Sequence, residues 1–204
     1  MESGVDPAVG PVDARALALA CGTTLPQSPR WTFPSPVAPA SALQRGEGGV
    51  PGGRLTVEAV LHVLAQAAAR SPHLWVETAG GVLSPLFLDP ADRLWTCADL
   101  TAAILDDARL QDRPARVVLV DADRLGCLTS MATAWESCRA RGVAVDALVL
   151  NQVQGDPGLL HADHPGWLHR MTGLETLRVP RGGKVPLPWL AAWVGLSPPG
   201  PSAA

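Results

Sequence analysis

Leu74-Trp75-Val76-Glu77-Thr78-Ala79-Gly80-Gly81-Val82-Leu83-Ser84-Pro85-Leu86 decides how this chain is read. A short apolar run ends on the Glu77 carboxylate, and a turn of small residues follows at once. A buried parallel strand carries an acid to the carboxyl edge of a sheet in this way, and α/β proteins bind ligands at that edge. Ala79, Gly80 and Gly81 leave room for backbone to approach a phosphate or a metal ion. Taken alone, the stretch is equally a strand that ends in a solvated Glu before an ordinary turn.

Outward from this segment, strands and helices alternate. Arg116-Val117-Val118-Leu119-Val120-Asp121 is a second apolar run, and Leu128 to Arg141 has helical character after Arg124-Leu125-Gly126-Cys127. Val145 to Leu150 is a third run, ending in Asn151-Gln152, and Leu174 to Val179 is a fourth. Thr56 predicts an N-cap for a helix over Val57 to Arg70, with Val60, Leu61 and Leu64 on one face; Thr96 predicts another for Cys97 to Leu110. Val12 to Cys21 is a short helix stopped by Gly22, and Leu187 to Val194 is a terminal helix. The βαβ order argues for an α/β protein with a parallel sheet and helices on both faces. Thr23 to Gly53 is a long Pro-, Ser- and Gly-rich connection, of a length that is usually functional or poorly ordered.

Val76-Glu77-Thr78-Ala79-Gly80-Gly81, Arg124-Leu125-Gly126-Cys127, Ala140-Arg141-Gly142-Val143 and Leu148-Val149-Leu150-Asn151 resemble the dethiobiotin synthetase family in order and spacing. Ser3-Gly4, Asp13-Ala14 and the proline-rich Phe33-Pro34-Ser35-Pro36-Val37-Ala38-Pro39 are similar to the family's opening segments. The resemblance runs from about residue 1 to about residue 181. It implies a three-layer, P-loop-type α/β fold with a mostly parallel sheet. Residues 1–196 are expected to form one domain, N-terminally incomplete, and 197–204 a disordered tail.

The resemblance also implies a chemistry. Family members close the ureido ring of dethiobiotin, in biotin biosynthesis, from 7,8-diaminopelargonate, CO2 and ATP with Mg2+. It assigns Asp13 and Glu77 to the metal, and Asp13, Glu77, Thr78, Ala79, Gly80, Asn151, Gln152, Val179, Pro180 and Arg181 to ATP. It assigns Ser3, Gly80, Gly126, Cys127, Leu128 and Thr129 to the substrate, with its carboxylate on a helix start shared across a homodimer. Thr78 stands where the family usually has glycine, so a positive φ there would strain it. Thr129 stands where asparagine is frequent.

On residue chemistry alone, Asp13 is equally a helix-start residue favoured by the dipole, and Asn151 a turn residue. His161 and His164 have a spacing compatible with metal ligation, but a surface loop accounts for them without a metal. Asp121 and Asp123 are extra acids near the expected phosphate site, facing solvent or weakening anion binding.

One departure is large. No G-x-x-x-x-G-K-[ST] pattern occurs, and Lys184 is the only lysine. The family places one lysine on the ATP phosphates and another beside the substrate carbamate, so no catalytic residue is assigned. Gly182-Gly183-Lys184 runs into Val185 where the metal-binding hydroxyl belongs. The first strand and P-loop are therefore expected from in-frame codons upstream of Met1, and these residues are expected to be inactive alone. A non-catalytic relative acting as a binding module, or a paralogous P-loop-type amide synthase, are the competing readings.

Composition narrows the partners. A formal net charge of -3 over 204 residues gives no basic footprint for nucleic acid. Cys21, Cys97, Cys127 and Cys138 have no C-x-x-C spacing and read as reduced thiols of a cytoplasmic protein, with neither disulfide nor zinc expected. No apolar run reaches bilayer-spanning length, and no signal-peptide pattern opens the chain. The seven tryptophans are scattered and read as core and interface mass.

Overall fold

The structure is a computed structural model, and it describes residues 1–20, 22, 31–47, 54–71, 73–153, 162–185 and 189. The protein is α/β with mostly parallel pairing. It divides into two compact units, Met1–Ala115 with Glu136–Ala144, and Arg116–Trp135 with Val145–Ala204.

In the first unit, β1 (Glu2–Ser3) pairs in parallel with β2 (Thr32–Phe33). Between them lies α1 (Val12–Ala20), whose first-turn Asp13 and Ala14 amides donate to the two oxygens of Glu2, at 3.0 and 3.1 Å. α2 (Pro39–Gln44) starts at a proline, which lacks an amide that would be left unpaired there. α3 (Val57–Ala68) is capped by Thr56, whose hydroxyl accepts from the Ala59 amide at 3.2 Å. The Arg113 guanidinium donates to the Ala68 and Ser71 carbonyls at its other end. β3 (Pro85–Leu88) and β4 (Leu94–Thr96) form an antiparallel hairpin. α4 (Cys97–Asp106) begins with a capping box between Thr96 and Asp99. Trp31, Phe33, Ala42, Leu55, Val60, Leu86, Phe87, Cys97 and Leu100 make one core cluster. Leu61 is buried and Leu64 packs against that cluster, so the expected apolar face of α3 is the one used.

In the second unit, β5 (Val118–Ala122), β6 (Ala147–Asn151) and β7 (Thr176–Val179) form a parallel sheet in the order β5-β6-β7. β6 is flanked on both sides, and Ala147, Leu148, Val149 and Leu150 are all buried. α5 (Cys127–Arg139) follows β5, and α6 (His164–Thr172) precedes β7. Gly173 ends α6 in the left-handed conformation, φ 74°. The expected terminal helix, Leu187 to Val194, and the 197–204 tail lie outside the described residues, Trp189 excepted.

Two expectations need correction, and one element is new. Leu74–Glu77 is not a buried strand: it joins no ladder among the described residues, and Trp75 and Val76 are 55% and 47% exposed. An apolar run becomes a strand only with a partner to take its amides and carbonyls, and this one has none there. Within Thr23–Gly53, β2 and α2 are regular structure. The hairpin β3–β4 was not anticipated; its turn holds Asp92 at φ 62°.

Candidate functional site

Ala122, Asn151 and Val179 are register partners across the three parallel strands, so the carboxyl ends of the second unit's sheet line up. The row is tied beyond the ladder. The Asp123 amide donates to the Asn151 carbonyl at 2.8 Å, and the Gln152 amide to the Val179 carbonyl at 2.9 Å. Asn151 is exposed, which leaves its carboxamide able to offer both a donor and an acceptor to a planar ligand edge. Pro180 and Arg181 follow Val179 in a turn closed by the Gly183 amide on the Pro180 carbonyl at 2.8 Å. Asn151, Gln152, Val179, Pro180 and Arg181, far apart in sequence, are therefore brought together at one sheet edge.

The segment after β5 reaches α5 through Arg124, Leu125 and Gly126. Gly126 adopts φ 90°, a conformation that disfavours any side chain. The Cys127 amide is taken by the Arg124 carbonyl at 3.0 Å. The next two amides, of Leu128 and Thr129, have no hydrogen-bond partner among the described residues, as the first turn of a helix requires. Thr129 is exposed, and Leu125 is 84% exposed. Gly126, Cys127, Leu128 and Thr129 thus form a helix start with free donors and a positive dipole end, which suits a carboxylate.

The remaining candidates sit in the first unit. Asp13 is exposed in the first turn of α1. The Ser3 hydroxyl is buried without a hydrogen-bond partner among the described residues. Glu77 is exposed and leads into a loop folded on the start of α4. There the Thr78 hydroxyl donates to the Gly80 carbonyl at 3.3 Å, and the Cys97 thiol to the Ala79 carbonyl at 3.5 Å. Burial pushes the Cys97 thiol up, against the opposing effect of its hydrogen-bonding neighbours Thr78 and Ala79. The Cys97 and Ala98 amides, at the start of α4, are taken by the Ser84 and Val82 carbonyls. Thr78 is not strained: the described non-glycine residue with positive φ is Asp92.

Asp13 and Glu77 are hard oxygen donors of the kind Mg2+ takes. The residues present do not fit the phosphate end of ATP. The sequence contains no phosphate-cradling loop of the G-x-x-x-x-G-K-[ST] kind, and its lone Lys184 is exposed just after the Pro180–Gly183 turn.

A second constellation escaped the sequence reading. Asp123, Cys127 and His164 are buried, at 2%, 0% and 8% exposure, and the ligand-type atom each offers lies within 4.8 Å of the others. His164 Nδ1 is 2.8 Å from Asp123 Oδ1 and 3.2 Å from Cys127 Sγ. Arg178 Nε stands 2.7 Å from Asp123 Oδ2. His164 is therefore not a surface-loop residue, and Asp123 does not face solvent. His161 lies outside the described residues. Burial also pushes the Cys127 thiol up. Nothing in the spacing signals the cluster, because His164 is 37 residues from Cys127 and arrives by tertiary folding alone.

No family model matches the chain. Individual relatives do. A protein named ATP-dependent dethiobiotin synthetase BioD, from Anaeromyxobacter sp. (strain Fw109-5), is 32% identical over 180 residues, covering 86% of this chain and 71% of the relative. The chain belongs to the dethiobiotin synthetase family. A relative of the same name from Acidiphilium cryptum (strain JF-5) is 31% identical over 127 residues, 62% of this chain and 49% of that protein. Another, from Aquifex aeolicus (strain VF5), is 25% identical over 179 residues, 87% of this chain and 72% of the relative. The chain thus spans between about half and about seven tenths of these dethiobiotin synthetases. No helix among the described residues is long and apolar enough to cross a membrane.

Proposed function

We propose that the chain serves the ATP- and Mg2+-dependent closure of 7,8-diaminopelargonate with CO2 to dethiobiotin, and that these 204 residues supply the ligand-holding part of that chemistry. The observation that carries this is the lined-up edge where Asn151 and Val179 are register partners, with the α5 start following the neighbouring strand. In this reading Asn151, Gln152, Val179, Pro180 and Arg181 hold the adenine end of ATP. The free amides of Leu128 and Thr129, in the helix start Gly126 to Thr129, take the substrate's carboxylate from the partner subunit of a homodimer, and Ser3 and Gly80 are the other substrate residues that the family resemblance assigns. Asp13 and Glu77 hold Mg2+, with Thr78, Ala79 and Gly80 beside the nucleotide. When bound, the ion would neutralise charge on the transferring phosphoryl group.

The chain's own residues then bind and orient, and do not drive phosphoryl transfer. Removing one preorganised electrostatic group commonly costs about 100-fold or more in rate, and here the loop and both lysines are missing together. The expected result for these 204 residues with 7,8-diaminopelargonate, bicarbonate, ATP and Mg2+ is no dethiobiotin above the blank, read by mass spectrometry. Turnover that disappears in Glu77→Ala would overturn this division of labour. Light scattering on the same preparation should give the mass of a dimer; a monomer speaks against the shared substrate site. The single lysine also favours a second reading, a non-catalytic relative that binds a small carboxylate. That reading predicts diaminopelargonate binding with no response to nucleotide.

A further inference from the structure

We propose that Asp123, Cys127 and His164 form a buried site for a divalent transition-metal ion, with Zn2+ the best match. The three side chains come from three separate elements. Asp123 directly follows β5, with its amide locked on the Asn151 carbonyl at 2.8 Å. Cys127 opens α5, and His164 opens α6. All three are buried, so the cluster is not a chance meeting of flexible surface groups.

Three electron-pair donors of the kind zinc takes converge in this cluster. Both Asp123 Oδ1 and Cys127 Sγ approach the same atom, His164 Nδ1, at 2.8 and 3.2 Å. One ring nitrogen carries either a proton or a lone pair. If Nδ1 donates to the carboxylate, the thiol proton has nothing to bind at that nitrogen. If it accepts from the thiol, its lone pair is spent and the carboxylate oxygen faces it without a proton between them. An ion at the centre removes the conflict, because all three atoms then act as donors of electron pairs to one cation.

Bound to a common tetrahedral Zn2+ at about 2.0–2.3 Å, neighbouring donor atoms stand about 3.2–3.8 Å apart. The two contacts to His164 need to open by about 0.5 Å to reach that spacing, and no pair of the three atoms is more than 4.8 Å apart. Thiolate, imidazole and carboxylate together match zinc better than Mg2+ or Ca2+, which take oxygen donors. Arg178 Nε, 2.7 Å from Asp123 Oδ2, holds the second carboxylate oxygen and leaves Oδ1 for the ion. Such outer partners orient a ligand and tune affinity. With three protein ligands among the described residues, a fourth position remains for water, a small ligand or another side chain. Cys127 also lies in the helix start read above as the substrate's carboxylate site, but the metal proposal stands without that reading, since no nucleotide or substrate enters its test.

The test uses the full chain, stripped with a chelator and titrated with Co2+ and then Zn2+. One metal per chain is expected, with the sulfur-to-cobalt charge-transfer absorption of a thiolate ligand. That absorption should vanish in Cys127→Ser, weaken with loss of binding in His164→Gln, and persist in Cys97→Ser and Cys138→Ser. Arg178→Gln should weaken binding by about 10- to 100-fold, the usual effect of losing an outer partner. Absence of the absorption in the wild-type chain, or its survival in Cys127→Ser, overturns the proposal. If the ligand variants fail to fold, alkylation of the wild-type chain with and without Zn2+ decides, with the cysteines mapped by mass spectrometry. Zinc-dependent protection of Cys127 alone supports the site; protection of another cysteine instead, or of none, overturns it.

Discussion

β6 and the segment Leu74–Glu77 are both short apolar runs that end on a polar residue, yet they have opposite fates. Leu148 and Leu150 in β6 are 0% exposed, while Trp75 and Val76 are 55% and 47% exposed. The difference is not composition. β6 has β5 on one side and β7 on the other, so its amides, carbonyls and side chains all find partners. Leu74–Glu77 has no ladder partner among the described residues. A strand is a property of a pair, and apolar sequence records only a readiness to pair. The polar residue that each run presents shares the fate of its run. Asn151 is set in a registered row, whereas Glu77 is exposed in a segment that joins no ladder among the described residues.

The sharpest way to break this comparison is to truncate one residue on each side. Leu148→Ala should cost about 2–5 kcal/mol, because a packed site cannot collapse around the lost volume. Trp75→Ala, despite removing a larger side chain, should stay within about 0.5 kcal/mol, as exposed substitutions do. Urea denaturation of both variants checks the pair. A large loss from Trp75→Ala would mean that the segment is buried in solution and the contrast is false.

A smaller effect compares backbone in the two units. Gly80 and Gly126 both sit at φ 90°. A Cβ on Gly80 would meet the Ser84 hydroxyl at 2.6 Å, whereas one on Gly126 would meet nothing within 4 Å. The serine hydroxyl can swing away, so the backbone conformation should dominate both. Gly80→Ala and Gly126→Ala are expected to cost about 1–2 kcal/mol each. A much larger loss at Gly80, relieved by adding Ser84→Ala, would show the loop after Glu77 to be more rigid than its exposure suggests.

The smallest effect is a pH dependence in the first unit. Burial pushes the Asp99 carboxyl up, but the Thr96 hydroxyl and amide and the Arg141 guanidinium outweigh it and hold it below its ordinary value. The Ser35 hydroxyl and amide hold Glu47 low in the same way. A carboxyl whose folded value lies below its unfolded value, about 3.9 for Asp and 4.3 for Glu, stabilises fully above that unfolded value. The contribution is lost as pH falls through the folded value. The unfolding midpoint should be flat from neutral pH to about 5 and fall below about 4. In Asp99→Asn the fall should be shallower; an unchanged profile would remove Asp99 from the account.

These contrasts explain what could be read beforehand. Thr56 and Thr96 were legible as caps because capping is settled within four residues of chain. β6 was legible because a run buried on both faces is apolar throughout. The fate of Leu74–Glu77 was not, since pairing depends on chain far away. The β3–β4 hairpin was missed because its turn rests on Asp92 at positive φ, where glycine is the usual signal. His164 was misjudged for a related reason. A histidine before Pro165 looks like a loop residue, and only the fold carries it to Asp123 and Cys127. Of the family-derived candidates, those on β6, β7 and the α5 start share one edge. For Asp13 and Glu77 the structure shows exposed carboxylates and their local supports.

The central claim is that the carboxyl edge at Asn151 and Val179 is where a nucleotide base binds. The direct measurement is an amide chemical-shift titration of the isotope-labelled chain with Mg2+ and ATP, and separately with adenosine. The account predicts that both ligands shift Asn151, Gln152, Val179 and Arg181, the Asn151 side-chain amide included, and that Asn151→Ala removes the response to adenosine. No shift at saturating ligand, or shifts confined to residues away from this edge, would contradict it.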